Sequence, residues 1–374
     1  MKKFLVSLIQ SSEQGYIGYD QFIQEALYHP KLGYYHRNHD IFGKRGDFYT
    51  STYVHPVFSR TILNVFIQLA RSVKLPINVC ELGAGEGMFA EQVIKELEMK
   101  NASYQYFYIE TSESLKEKFK HRLSPDKRKH VHFFSSLDEC LSVIGPFNGF
   151  IFSNEFLDAQ PVKVIEKRNG QIQEVVISID KQSELKERLV ACPDPVLKWM
   201  DDYSVYLKEG QRIEVPVYIF PIMKKLHRIL DKGVVLTIDY GYTGEEWKHP
   251  ARKKGSLRGY DQHRMVEDLL RKPGEVDITH HVHWDTWIKA GEEQGMEFVG
   301  LFKQNEFLLK GGILNELEED TSPDYFSEKH RKNRAIRSLI QGEGFAGMFD
   351  VCVQATGVDS DPIRGVLTKK PGFM

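Results

Sequence analysis

Apolar positions recur at helical spacing from Phe4 to about Leu27 and break at Gln14-Gly15, which predicts two short helices in succession. The same period returns over residues 57–72. After Pro76 it gives way to Ile77-Asn78-Val79-Cys80-Glu81-Leu82, a short, largely apolar run that predicts a buried strand. Helical periods over 89–97 and 112–123 then alternate with strand-like runs over 104–109, 131–134, 150–153 and 234–238. This alternation predicts an α/β protein with a Rossmann-like, doubly wound, mostly parallel sheet.

The remaining segments break that rhythm. Residues 162–179 form two alternating runs joined at Asn169-Gly170, the strongest short hairpin signal. They open an insertion. Residues 28–51 carry Pro30, Gly33, Gly43 and Gly46 among aromatic residues and read as a long ordered loop. Residues 248–264 are polar and basic and read as a mobile stretch, followed by a helix near 284–294. Two last strands are expected over 297–309 and 349–355, and the tail beyond Gly357 has no period. The expected organisation is an N-terminal helical and site-covering region (1–75), a core from 76–160 and 230–356, an inserted hairpin with helices (161–229) and a tail (357–374).

Composition narrows the function. Of 374 residues 41% are hydrophobic and 27% charged, enough for a sizeable core. Fifty basic residues nearly balance fifty-two acidic ones, so no global field draws in nucleic acid or a membrane. The basic run Lys248, Arg252, Lys253, Lys254, Arg258 and Arg264 lacks the interleaved aromatics of a single-strand binder and reads as a solvated face. No apolar stretch reaches the ~20 residues of a membrane span. Residues 4–9 are too short for a signal peptide core and read as part of the first helix. Four separated cysteines without a CxxC pair fit a reducing, cytoplasmic setting.

The chemistry gathers around Gly83-Ala84-Gly85-Glu86-Gly87. Glycines directly after a strand of an open α/β sheet let a nucleotide-like ligand approach the backbone. A dinucleotide fingerprint needs glycine where Met88 stands, whereas alternate glycines behind the acidic Glu81 suit S-adenosyl-L-methionine (SAM). The next strand ends at Glu110, whose carboxylate is placed to accept hydrogen bonds from both ribose hydroxyls.

These motifs, with Gly46-Asp47-Phe48-Tyr49-Thr50-Ser51, Asn154-Glu155-Phe156-Leu157-Asp158-Ala159 and Ile238-Asp239-Tyr240-Gly241, resemble the MidA-like SAM-dependent methyltransferases. That family includes an assembly factor of mitochondrial complex I that methylates a protein arginine. Ala26-Leu27-Tyr28-His29-Pro30 through Gly33-Tyr34-Tyr35, Ser256-Leu257-Arg258, Pro273-Gly274 with Asp277-Ile278-Thr279, and Asn305-Glu306-Phe307-Leu308 extend the resemblance over most of residues 15–350. The chain departs from the family's pattern at Thr52-Tyr53, Ala84, Glu86, His283 and Trp284.

The resemblance implies SAM as cofactor and a protein substrate, with an arginine acceptor and a respiratory-complex subunit as its kind; a homodimer stays open. It brings Asp47, Thr50, Ser51 and Asn154 to the cofactor beside Glu81, Gly83, Gly85, Gly87 and Glu110. A protonated guanidinium needs carboxylates, and Glu155 and Asp158, three apart, share a face if a helix begins there. Equally, Asn154 caps a helix with both acids in its favourable first turn. Asp239 faces the acceptor or caps a turn, and His281 is a candidate proton acceptor. The cluster His280, His281 and His283 reads as hydrogen-bonded histidines rather than a metal site. A small-molecule methyltransferase and a SAM-binding assembly factor without turnover are the alternative functions.

Overall fold

The run Ile77–Leu82 becomes the first strand of the large sheet because its Val79, Cys80 and Leu82 side chains are buried in it. The structure is a computed structural model that describes residues 1–36, 55–261, 264–319, 324, 326–342 and 345–368. They fall into two compact units. One is drawn from Met1–Phe48, Leu157–Ile222 and Gly241–Lys289, the other from Tyr49–Phe156, Met223–Tyr240 and Ala290–Met374.

The second unit holds the sheet: β1 (Ile77–Leu82), β2 (Tyr104–Ile109), β3 (Val131–Phe134), β4 (Phe147–Asn154), β5 (Leu230–Tyr242), β6 (Glu297–Lys303) and β7 (Phe349–Thr356). Their spatial order is β6-β7-β5-β4-β1-β2-β3. β1 lies parallel to both β2 and β4, β3 to β2 and β5 to β4, while β7 runs antiparallel between β5 and β6. The winding reverses between β1 and β4. In such sheets a ligand crevice opens at that point, outside the carboxyl ends of the strands.

Helix Val57–Val73 covers this sheet through Phe66, which stacks on Phe150 at 4.7 Å. Phe152 stacks in turn on Phe89 of helix Met88–Met99 at 4.1 Å. Each such fully buried ring stabilises the fold by about 1.5–3 kcal/mol. Three elements depart from the sequence expectation. Residues 297–309 divide into β6 and a helix, Gln304–Lys310, because Phe307 and Leu308 turn into the core while Lys310 stays outside it. Glu328–Ile340 is a helix whose polar sequence conceals a narrow buried stripe of Ala335, Ile336 and Leu339. The tail forms a helix, Ser360–Thr368, that buries Ile363 and Leu367, four apart on one face.

In the first unit the predicted hairpin forms with Arg168 opposite Gln171. Asn169 and Gly170 both have positive φ, 54° and 76°, as a type I′ turn requires. The basic stretch is tied down rather than loose: fully buried Glu214 accepts bonds from the backbone N–H groups of Ser256 and Leu257 and from the Ser256 hydroxyl. Arg258–Asp261 then joins Arg264–Val266 and Asp277–Thr279 in a three-stranded sheet. Gly241 and Tyr242, the end of β5, pair with Val282 and His283.

This unit also buries all four tryptophans of the chain, Trp199, Trp247, Trp284 and Trp287. His283 stacks on Trp247 at 4.5 Å and meets Trp199 edge-on at 5.4 Å. Burial among these rings, with His280 nearby, pushes its pKa down to about 3. His281 stacks on Tyr242 at 4.3 Å, and burial followed by Arg258 lowers its pKa to about 2.

Both histidines have folded pKa values below the ordinary ~6.5, so their contribution is fully present above that pH and is lost as pH falls toward 3. Tryptophan fluorescence reads this unit alone. Urea unfolding followed that way is expected to weaken steeply between pH 6 and pH 4. His283→Phe should flatten the decline by on the order of 2 kcal/mol at pH 4.5, measured against pH 7.5. Parallel declines in the two proteins would show that His283 does not carry the effect.

Candidate functional site

The turn after β1 requires glycine at three alternate positions. Gly83, Gly85 and Gly87 have φ of 63°, 56° and 74°, the left-handed region that side chains disfavour. Space excludes a side chain as well. A Cβ on Gly83 would stand 2.7 Å from the Phe156 ring, and one on Gly87 2.6 Å from the Phe119 ring.

Neighbouring groups fix the turn's peptides one by one. The Ala84 N–H donates to the Ile109 carbonyl at 3.1 Å, and the Gly87 N–H closes back on the Ala84 carbonyl at 2.9 Å. The Gly85 N–H donates to Glu110 Oε2 at 2.9 Å, and its carbonyl accepts from the Tyr108 hydroxyl. The Glu86 carbonyl accepts from Arg122, whose Nε also holds Glu91.

Glu110 stands at the carboxyl edge of β2, where the sequence places it. It is 8% exposed, and Oε1 accepts the Ser112 N–H at 2.8 Å. Burial raises its pKa, while the Ser112 and Gly85 N–H groups act in the opposite direction. A carboxylate oxygen accepts more than one bond, so Glu110 can brace the turn and still receive hydroxyl donors. A glycine cradle with a braced acid beside it fits the adenosyl group of SAM.

Glu81, one residue before the turn's strand ends, is buried and accepts the Tyr106 hydroxyl at 2.6 Å. Burial raises its pKa to about 8, with the Tyr106 bond opposing and the Glu110 charge adding. At neutral pH it therefore holds a proton for much of the time.

The fourth strand's end is not a helix start. Glu155 has φ 51°, and its N–H continues the sheet by donating to the Ile238 carbonyl at 2.9 Å. The expected shared helical face for Glu155 and Asp158, and the cap at Asn154, are therefore absent; the ladder to β5 outcompetes a helical turn. Asn154 Nδ2 instead donates to Glu155 Oε1 at 3.0 Å. Fully buried Asp239 ends the neighbouring strand and accepts the Phe156 N–H at 3.2 Å and the Tyr240 N–H at 2.9 Å. Phe156 thus links Asp239 to the Gly83 turn.

In the other unit Asp158 is buried, and Oδ2 accepts the Thr279 hydroxyl at 2.7 Å. His281 donates its backbone N–H to the Ser256 hydroxyl at 2.9 Å, and its Nε2 lies 3.4 Å from Arg258 Nη2. His280 contacts the carbonyls of His281 and Gln160, both at 3.1 Å. Among the described residues no group of His, Cys, Asp and Glu converges as metal ligands. Asp47, Thr50 and Ser51 lie outside the described residues.

Sequence reasoning missed Tyr108, Arg122, Phe119 and Phe156. One signal was available: the two-residue period of β2 puts Tyr106, Tyr108 and Glu110 on a single face. Arg122 and Phe119 carried none, because they reach the turn from another helix, Glu113–Arg122.

Comparison with known proteins points to the same cofactor. The sequence model of a family described as S-adenosyl-L-methionine-dependent methyltransferases matches residues 57–302. The protein arginine methyltransferase NDUFAF7 of Homo sapiens is 25% identical over 366 residues, covering 91% of this chain and 78% of that protein. The Drosophila melanogaster homolog is 25% identical over 317 residues, covering 78% and 70%. A crystal structure of a Burkholderia thailandensis protein bound to S-adenosyl-homocysteine aligns with a TM-score of 0.85 at 25% identity, covering 96% of this chain and 93% of that one. The family match spans more than half of the sequence and the turn described above, so the chain belongs to the S-adenosyl-L-methionine-dependent methyltransferases and uses that molecule as its cofactor.

Proposed function

We propose that the enzyme methylates an arginine side chain of a protein. The relatives named protein arginine methyltransferases support this reading, and the observation that carries it is Glu155. A non-glycine residue held in the left-handed region costs on the order of 1 kcal/mol or more and persists where function or surroundings demand it. Here the strain sits on a partly exposed carboxylate at the carboxyl edge of β4, directly before Phe156, whose N–H Asp239 accepts.

SAM supplies a methyl group on a positively charged sulfur. What remains for the protein is to hold the acceptor in line, about 3 Å away, and to manage its charge. An arginine side chain arrives protonated, and a carboxylate stabilises and orients that cation. Glu155 takes this role in the reading, with Asn154 steering its carboxylate and Asp239 holding the turn. Asp158 supports Thr279 and the His280 backbone in its own unit. His281 is assigned no proton: burial and two arginines oppose an imidazolium there.

Labelling a cell lysate with methyl-tritiated SAM and the enzyme is expected to place label in acid-precipitable protein as methylarginine. Label confined to the acid-soluble fraction would overturn the proposal in favour of a small-molecule acceptor. Glu155→Asn, which suits the left-handed conformation, should leave the melting temperature unchanged or raised while turnover falls roughly 10²-fold or more. Equal turnover would remove Glu155 from the chemistry. Glu110→Gln should weaken SAM binding on the order of 10–100-fold by calorimetry, since it loses charge-assisted bonds to the ribose. Unchanged affinity would place the ribose elsewhere.

A further inference from the structure

The turn that receives the cofactor is held partly by a side chain outside the turn and outside the carboxylate expected to touch ribose. The two peptides that meet at the Gly85 Cα are anchored on opposite sides, the N–H by Glu110 Oε2 and the C=O by the Tyr108 hydroxyl. We propose that Tyr108 is a positioning residue for SAM: its hydroxyl locks the second Gly85 peptide, so that the first presents its N–H to Glu110 and the carboxylate stays aimed for the ribose.

Three observations carry this. Tyr108 is fully buried, and its ring is fixed by stacking on Phe119 at 5.0 Å and by a tilted contact with Phe133 at 5.3 Å. Phe119 is also the ring against which Gly87 packs, so the support of the hydroxyl and the end of the turn share one element. The glycine it holds, like Gly83 and Gly87, has no side chain to restrain it. Gly85 has positive φ and no side chain, and a glycine free of outside anchors samples both signs of φ readily. Sequence adjacency makes the geometry stiff: Tyr108 and Glu110 project from the same face of one strand, two residues apart, and grip the two sides of the same glycine.

Without the hydroxyl, the Gly85 carbonyl loses its partner and the turn gains conformations in which Glu110 is not engaged. A ligand must then bear the cost of ordering it. The effect falls on every ligand that carries the adenosine, and not on the methyl transfer that follows. The proposal stands whichever acceptor the enzyme methylates.

Tyr108→Phe keeps the ring and removes only the hydroxyl. Titration calorimetry of the full chain should show both SAM and S-adenosyl-homocysteine binding on the order of 10-fold more weakly. KM for SAM should rise by a similar factor with kcat changed less than about twofold. Val234→Ala, which opens a cavity in the β5 ladder against Phe150 and Ala355, should lower the melting temperature and leave both affinities within about twofold. Unchanged affinities in Tyr108→Phe would overturn the proposal. So would an equal loss of affinity in Val234→Ala, which would reduce the effect of Tyr108→Phe to lost stability. Combining Tyr108→Phe with Glu110→Gln should cost less than the product of the single losses, because both act through Gly85; a full product would contradict the shared route.

Discussion

The hydrogen bond from the Gly85 N–H to the Glu110 carboxylate is the interaction on which the site depends. It joins β1 and β2, two consecutive strands of a parallel sheet, at their carboxyl ends, one strand away from β4, on whose side of β1 the winding reverses. Backbone donors in a turn normally wait for water or ligand, and buried carboxylates are costly unless they are bonded. Here each solves the other's difficulty. Glu110 is kept as an acceptor in a buried position, and the turn is ordered with three glycines in a conformation that has no side-chain support of its own.

The unit that carries the sheet assembles the rest of the site by the same means. Asp239 holds Phe156, Phe156 packs on Gly83, and Glu155 is pinned by the ladder to β5 between them. A charged side chain thereby sits at a strand end in a conformation its own chemistry disfavours. The other unit gathers its titratable residues differently. His281 and His283 are kept neutral by aromatic stacking and burial, and Glu214 is saturated by Ser256 and Leu257. These groups are held by packing and hydrogen bonds within their own unit.

Much of this was legible in the sequence. The alternation of helical and strand periods gave the parallel strands because each is a short, densely apolar run, and the glycine turn and Glu110 followed from their places at strand ends. What escaped reading depended on long-range partners. Glu155 looks like the first turn of a helix until its N–H is seen to serve β5. Gln304–Lys310 resembles a strand's continuation because a short apolar run has no distinctive period. The basic stretch around Ser256 gives no sign of order, since its anchor, Glu214, lies more than forty residues earlier. Tyr108 was visible only as one more apolar strand residue; its hydroxyl acquires meaning from the carbonyl it meets.

In the proposed arrangement one carboxylate serves both the glycine turn and the sugar of the cofactor. The deciding measurement is a crystal structure of the enzyme with S-adenosyl-homocysteine. Glu110 is expected within hydrogen-bonding distance of both ribose hydroxyls while Oε2 still receives the Gly85 N–H. A ribose bound away from Glu110, or a turn that releases the carboxylate when ligand enters, would contradict it.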